Sequence, residues 1–184
     1  MTAGMVLRAA AVADIPAITM LYADEVRHGF ATYEYDVPDA AEMQRRWEHL
    51  ARHRFPYLVA EFDGSFAGYA YASPYRGRIG YQWTVENTVY VHPDFQGRGI
   101  GHALMQRLID DCTALGFRQM VSVIGDASNA ASMTLHERLG FRVVGVFHGL
   151  GRKHGRWLDT VQMQRALGDG DTSAPPGPAL DWPD

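Results

Sequence analysis

Disulfide chemistry has nothing to work with in this chain. Its 184 residues include a single cysteine, Cys112, so no internal disulfide framework exists. Long apolar runs are also missing. No stretch of roughly 18 apolar residues occurs, which predicts that nothing spans a membrane. The first residues carry no basic stretch leading into an apolar core, and Asp14 and Pro16 interrupt the only candidate, so no signal peptide is expected and the expected location is the cytoplasm. An excess of positive charge is absent too. Lys and Arg total 17 against 21 Asp and Glu, a formal net charge of −4, which argues against nucleic acid as a partner. Four of those acids lie beyond Leu167, where no Lys or Arg occurs, so the preceding residues carry 17 charges of each sign. What is present is ordinary globular stock: 47% hydrophobic and 21% charged residues, in a length that suits one domain.

The chain reads as a domain over 1–167 followed by an acidic Pro/Gly tail over 168–184. The tail holds four of the nine prolines and few large apolar groups, so disorder is expected there, with Trp182 solvated. Within the domain, strand-like and helix-like pieces alternate. Val6 to Ala9 reads as a short strand. Asp14 and Asp39 are placed to cap two helices, with Ile15, Ile18, Leu21, Tyr22 and Val26 on the buried face of the first and Met43, Trp47 and Leu50 on that of the second. Tyr57 to Phe62 and Phe66 to Ala72 flank Asp63-Gly64 and read as a hairpin. Thr84 to Val91 is a central strand. Ile100, Leu104, Leu108, Cys112 and Leu115 line one face of a third helix ended by Gly116. Met120 to Ile124 is a strand, Asn129 to Leu139 a fourth helix, and Arg142 to Phe147 and Trp157 to Gln164 the last strands. This mixed order, with a strand–helix–strand unit, predicts a three-layer α/β fold.

The informative stretch runs from Thr84 to Gly101, where a strand enters a glycine-rich turn that opens an amphipathic helix. Gly97, Gly99 and Gly101 let a ligand approach the backbone closely. The helix start offers free N–H groups, and Arg98 adds a positive fork, so a phosphate or pyrophosphate is the expected ligand. The spacing matches neither a dinucleotide fingerprint nor an ATP-type loop. A tight turn without ligand is the plain alternative.

Gln96-Gly-Arg-Gly-Ile-Gly101 resembles the acetyl-CoA-binding motif of the GNAT N-acetyltransferase family. Asn129-Ala-Ala-Ser-Met-Thr-Leu-His-Glu-Arg-Leu-Gly-Phe141 resembles that family's second signature. The likeness covers about residues 5 to 166. It implies acetyl-CoA as donor and a mixed central sheet splayed between its fourth and fifth strands, with about four helices. It also implies pantetheine contacts along Val89, Tyr90 and Val91, a pyrophosphate held by Gln96, Gly97, Arg98, Gly99, Ile100, Gly101 and His102, and a further contact from Asn129. Trp83 to Val91, Tyr75-Arg76 and Gly151 to Asp159 resemble the phosphinothricin and methionine sulfoximine acetyltransferase subgroup. That likeness implies a small amino-acid analogue as amine substrate and a homodimer.

An α-amine must lose a proton before it attacks a thioester, and a nearby carboxylate can take it. Glu86 sits inside an otherwise apolar central strand, on the face of Thr88 and Tyr90, and matches the subgroup's catalytic glutamate. A surface ion pair is the competing role. Where many family members have Tyr, this chain has His136, which is either the acid that protonates the leaving thiolate or a hydrogen-bonded core residue. Cys112 lies on the apolar face of a helix and reads as core, not as a nucleophile. An anionic substrate group needs a cation; Arg76 is the first candidate and Lys153 the second, with a solvated Arg76 as the alternative. Phe30, Thr32 and Tyr33 are expected to wall the substrate pocket, with Tyr75, Gly77, Asn87 and Thr88 beside it. His spacing predicts no metal site. The competing functions are acetylation of protein N-termini or polyamines, and a CoA-binding module without turnover.

Overall fold

The computed structural model describes residues 4–180. Seven strands and four helices follow in the order β1 (Met5–Ala9), α1 (Ile15–His28), α2 (Ala40–Arg52), β2 (Tyr57–Phe62), β3 (Ser65–Pro74), β4 (Thr84–Val91), α3 (Ile100–Ala114), β5 (Gln119–Ile124), α4 (Ala130–Arg138), β6 (Arg142–Lys153) and β7 (Arg156–Ala166). They form one sheet in the order β1-β2-β3-β4-β5-β7-β6.

β4 is the hinge of this arrangement. It pairs antiparallel with β3 along all but its first residue, from Gly68↔Val91 to Pro74↔Val85. Its pairing with β5 is parallel and stops after Thr84↔Gln119, Val85↔Met120 and Glu86↔Val121. Beyond Glu86 the two strands part, which is the splay expected between the fourth and fifth strands. α3 makes the crossover that a parallel pair requires. Its Ile100, Leu104, Met105, Leu108 and Cys112 are almost wholly buried, a helical spacing of one apolar face.

Local chemistry explains most boundaries. Asp39 caps α2 by accepting from the Glu42 N–H at 2.7 Å, as expected. Asp14 does not cap α1. Its carboxylate accepts from the Ala11 N–H and takes both terminal nitrogens of Arg8 at 2.7 Å. Arg8 also holds Glu61, so the aspartate ties β1 to the helix entry. β6 runs six residues past the expected Phe147, because its register shifts at Val143/Gly145 and Phe147/Gly151 and glycines break its apolar pattern.

The segment expected to be a free tail is docked instead. Through residue 180 it lies against the domain. Leu180 is buried, the Trp83 indole N–H donates to Gly177 O at 2.8 Å, and Arg118 donates to Gly170 O and Ser173 Oγ. A buried leucine and bonded backbone carbonyls outweigh the composition of this stretch. Trp182 lies outside the described residues.

Candidate active site

Two cavities open at the splay. The larger, about 770 Å³, is bounded by Val89, Tyr90 and Val91 of β4, by the turn and first residues of α3, and by Asn129 to Arg138. Gly97 and Gly99 adopt φ of +73° and +80°, the left-handed region that glycine enters without penalty. That conformation bends the chain so that the first N–H groups of α3 face the cavity unpaired by the helix itself. Gln96, Ile100, Gly101 and His102 also line it. Gln96 donates to Val91 O at 3.3 Å, bracing the turn against β4. These features fit a pyrophosphate and a peptide-like arm running beside a strand edge.

Arg98 departs from expectation. Its backbone belongs to the turn, but its guanidinium lies over Phe62 and Phe95, 5.2 and 5.5 Å from the ring centroids. It does not line the cavity. Stacking on two rings is the more favourable resting place for a weakly hydrated planar cation.

The smaller cavity, about 270 Å³, takes its walls from both faces of the parted sheet. Glu86 and Thr88 enter from one face of β4, with Tyr22 and Tyr71 around them. Asn87 enters from the other, with Ser122 of β5 and His136 of α4. Ala31, Val89, Tyr90, Asn129 and Ser132 line both cavities, so the two spaces meet at the point where β4 leaves β5. Burial holds the Glu86 carboxyl above its usual range, and the charge of Arg76 partly opposes that rise. His136 is buried, and burial lowers its pKa, partly offset by its bond to Ser132 O.

Several other expected substrate contacts find different work. Thr32 and Tyr33 line the small cavity, but the Tyr33 hydroxyl is spent, donating to Gly125 O at 2.6 Å and meeting Thr160 Oγ at 2.6 Å. A methyl group at Gly151 would overlap the Tyr33 ring, so the β6 glycine makes its seat. Phe30 lines neither cavity. It packs edge-on against His154 and beneath Arg156. Asn129 lines both cavities while its Oδ1 caps α4 by accepting from Ser132 N–H. Tyr75, Arg76 and Gly77 lie in a loop outside both cavities, with the Arg76 guanidinium 5.2 Å over the Tyr75 ring. Lys153, the second candidate cation, lines neither cavity. It is fully buried and donates to Thr32 O at 2.7 Å and Glu25 O at 3.4 Å, fastening the β6–β7 tip to the linker after α1.

Cavity residues that had not stood out in the sequence are Tyr22, Tyr71, Ser122, Gly125 and Ser132. The two tyrosines could have been suspected from alternation and helical spacing. The serines carry no such signal. Among the described residues no group of His, Cys, Asp or Glu is arranged to hold a metal.

Comparison with known proteins agrees with this geometry. The chain is 47% identical over 162 residues to a phosphinothricin N-acetyltransferase of Alcaligenes faecalis, covering 88% of this chain and 82% of that protein. It is 41% identical over 170 residues to an L-methionine sulfoximine/L-methionine sulfone acetyltransferase of Pseudomonas paraeruginosa, covering 92% and 98%. A phosphinothricin acetyltransferase of Sinorhizobium meliloti, solved in complex with acetyl-CoA, superposes with a TM-score of 0.90 at 46% identity, covering 94% of this chain and 93% of that one. The model of the acetyltransferase (GNAT) family matches residues 17–141. With its parted sheet, its glycine turn and these relatives, the chain belongs to the GNAT family and is an acetyl-CoA-dependent acetyltransferase.

Proposed function

We propose that this enzyme acetylates the α-amine of a small amino acid or amino-acid analogue of the phosphinothricin or methionine sulfoximine type, with Glu86 as general base. The observation that carries the reading is the meeting of the two cavities. A carboxyl raised by burial stands in a 270 Å³ space that opens onto the donor cavity. A raised carboxyl is the better base for an ammonium proton near neutral pH. The names of the relatives support the substrate class. The small cavity suits an amino acid better than a peptide chain or a long polyamine.

Acetyl-CoA supplies the activated acetyl group. Glu86 takes the proton from the amine, directly or through a water, and the walls of the small cavity hold the amine against the thioester. Backbone N–H groups beside Val91 meet the charge that develops on the carbonyl oxygen. His136 returns a proton to the departing sulfur by way of the Ser122 hydroxyl. Arg76, whose charge already acts on Glu86, receives the anionic end of the substrate. Cys112 is buried with its thiol pKa pushed far up, which suits a core residue and not a nucleophile.

We assign the chain to homodimers formed through β6. This twelve-residue edge strand exposes Val143, Val144, Val146, Phe147 and Leu150, and Trp157 stands on the neighbouring β7. Exposed apolar edge strands pair unless protected. A cytoplasmic location suits a lone free cysteine, and among the described residues no helix is long and apolar enough to cross a membrane.

The test is thiol release from acetyl-CoA with methionine sulfone, phosphinothricin, spermidine and a short peptide as acceptors. The expected result is a kcat/KM for the first two at least a hundredfold above the others. Comparable rates on spermidine or the peptide would overturn the substrate class. Sedimentation of the wild type and of Val146→Lys tests the dimer; a wild-type monomer at micromolar concentration would refute it.

A further inference from the structure

The β4–β5 ladder ends at Glu86↔Val121. The next residue on each strand is polar and buried: Asn87 on β4 and Ser122 on β5. Where a further backbone pair would form, a side chain stands instead. His136 Nε2 lies 3.0 Å from Asn87 Oδ1 and 3.0 Å from Ser122 Oγ. The Asn87 amide nitrogen donates to Val121 O at 3.1 Å, so it is the oxygen of that amide that faces the ring. On the other side, His136 Nδ1 lies 2.8 Å from Ser132 O. A carbonyl only accepts, so Nδ1 carries a hydrogen.

These partners set the balance at Nε2. In the neutral ring Nε2 holds a lone pair. It can accept from the Ser122 hydroxyl, but it meets the Asn87 oxygen lone pair against lone pair. With a second proton on the ring, Nε2–H is shared between the Asn87 and Ser122 oxygens and the clash of lone pairs is gone. We propose that Asn87 and Ser122 are positioning residues that cradle a proton on His136 Nε2, and that Ser122 is its outlet to the cavity. The role of that proton rests on the reading of His136 as the acid; the cradle itself does not.

The surroundings leave the cradle in command. Phe141 closes the ring's edge at a centroid distance of 5.0 Å. Glu86, the only carboxylate among the described residues lining the cavity, projects from the opposite face of β4. The cavity's other titratable groups are Tyr22, Tyr33, Tyr71 and Tyr90. Glu137 and Arg138 of α4 are exposed. Burial works against the charged ring, so removing an acceptor should tell directly.

The experiment is an NMR titration of the His136 ring in labelled full-length protein, assigned through His136→Gln, beside the pH profile of kcat. Asn87→Leu should lower the ring's pKa by about one unit and Ser122→Ala by less, whereas Asn87→Asp should raise it by one unit or more. The rate requires the protonated ring, so it falls as pH rises through this pKa, and its alkaline limb should move the same way. An unmoved ring pKa in both Asn87→Asp and Ser122→Ala, which keep size and fold, would overturn the cradle. A ring pKa that moves while the alkaline limb stays fixed would support the cradle and overturn the acid role of His136.

Discussion

Glu86→Gln separates base catalysis from everything else the residue does. The substitution keeps size and shape and removes the charge and the proton-accepting oxygen. A positioned general base contributes about 10²- to 10⁴-fold, so kcat should fall by that factor, equivalent to about 3–5.5 kcal/mol of barrier. The donor cavity is lined by other residues, so the Kd of acetyl-CoA by calorimetry should change less than threefold. Stability should move the other way. The folded pKa of Glu86 is raised above its unfolded value by burial, so its ionisation opposes folding. The stability it confers is full below the unfolded pKa and is lost as pH rises through the folded pKa. Gln carries no such loss, and Tm at pH 7 should be equal to or above wild type. Arg76→Ala removes the charge that counters burial. Glu86 should then titrate higher, and the acid limb of kcat/KM should shift to higher pH, because the base works only when ionised. A kcat for Glu86→Gln within threefold of wild type would refute the assignment. So would a large loss of kcat accompanied by an equal loss of acetyl-CoA binding.

Gly99→Val puts a β-branched residue at φ +80°, where the added Cβ meets nothing within 4 Å. The cost is conformational, of order 1–3 kcal/mol; the turn should relax, and acetyl-CoA should bind at least tenfold more weakly by calorimetry. Lys153→Met leaves the Thr32 carbonyl without its 2.7 Å donor, at a cost of about 1–3 kcal/mol. The KM for the amine should rise severalfold with kcat nearly kept, and an unchanged KM would refute a fastening role. Ending the chain after Leu167 exposes the Leu180 contact surface and frees Trp83 and Arg118, a loss of roughly 2–4 kcal/mol. Thermal unfolding should register it as a drop of several degrees, and an unchanged Tm would mean that the docked segment contributes nothing.

The backbone of the site was legible because its signals are local. A glycine turn between a β-branched strand and an amphipathic helix places α3 against β4 whatever surrounds it. Alternation alone puts Glu86 and Thr88 on one face of β4 and Asn87 on the other, and both faces line the small cavity as a result. The docked end was illegible for the opposite reason. Its contacts are with Trp83 and Arg118, far back in the chain, and composition registers only that few apolar groups are present, not that Leu180 is inserted.

The cations show the same limit at the level of single side chains. Arg98 and Lys153 both suggest anion binding in the sequence, because a positive charge beside an expected anion site implies attraction. What decides their positions is competition among neighbours distant in sequence. Arg98 finds Phe62 and Phe95, and two ring faces hold it off the turn. Lys153 sits at the end of β6, whose register shifts twice before reaching it. Those shifts determine which way its side chain points, and it points inward to the carbonyls of Thr32 and Glu25. What the turn itself offers a phosphate is therefore its backbone N–H groups, whose direction depends on the positive φ of Gly97 and Gly99. On this reasoning Arg98→Ala should weaken acetyl-CoA binding far less than Gly99→Val does, although it removes a full charge next to the turn.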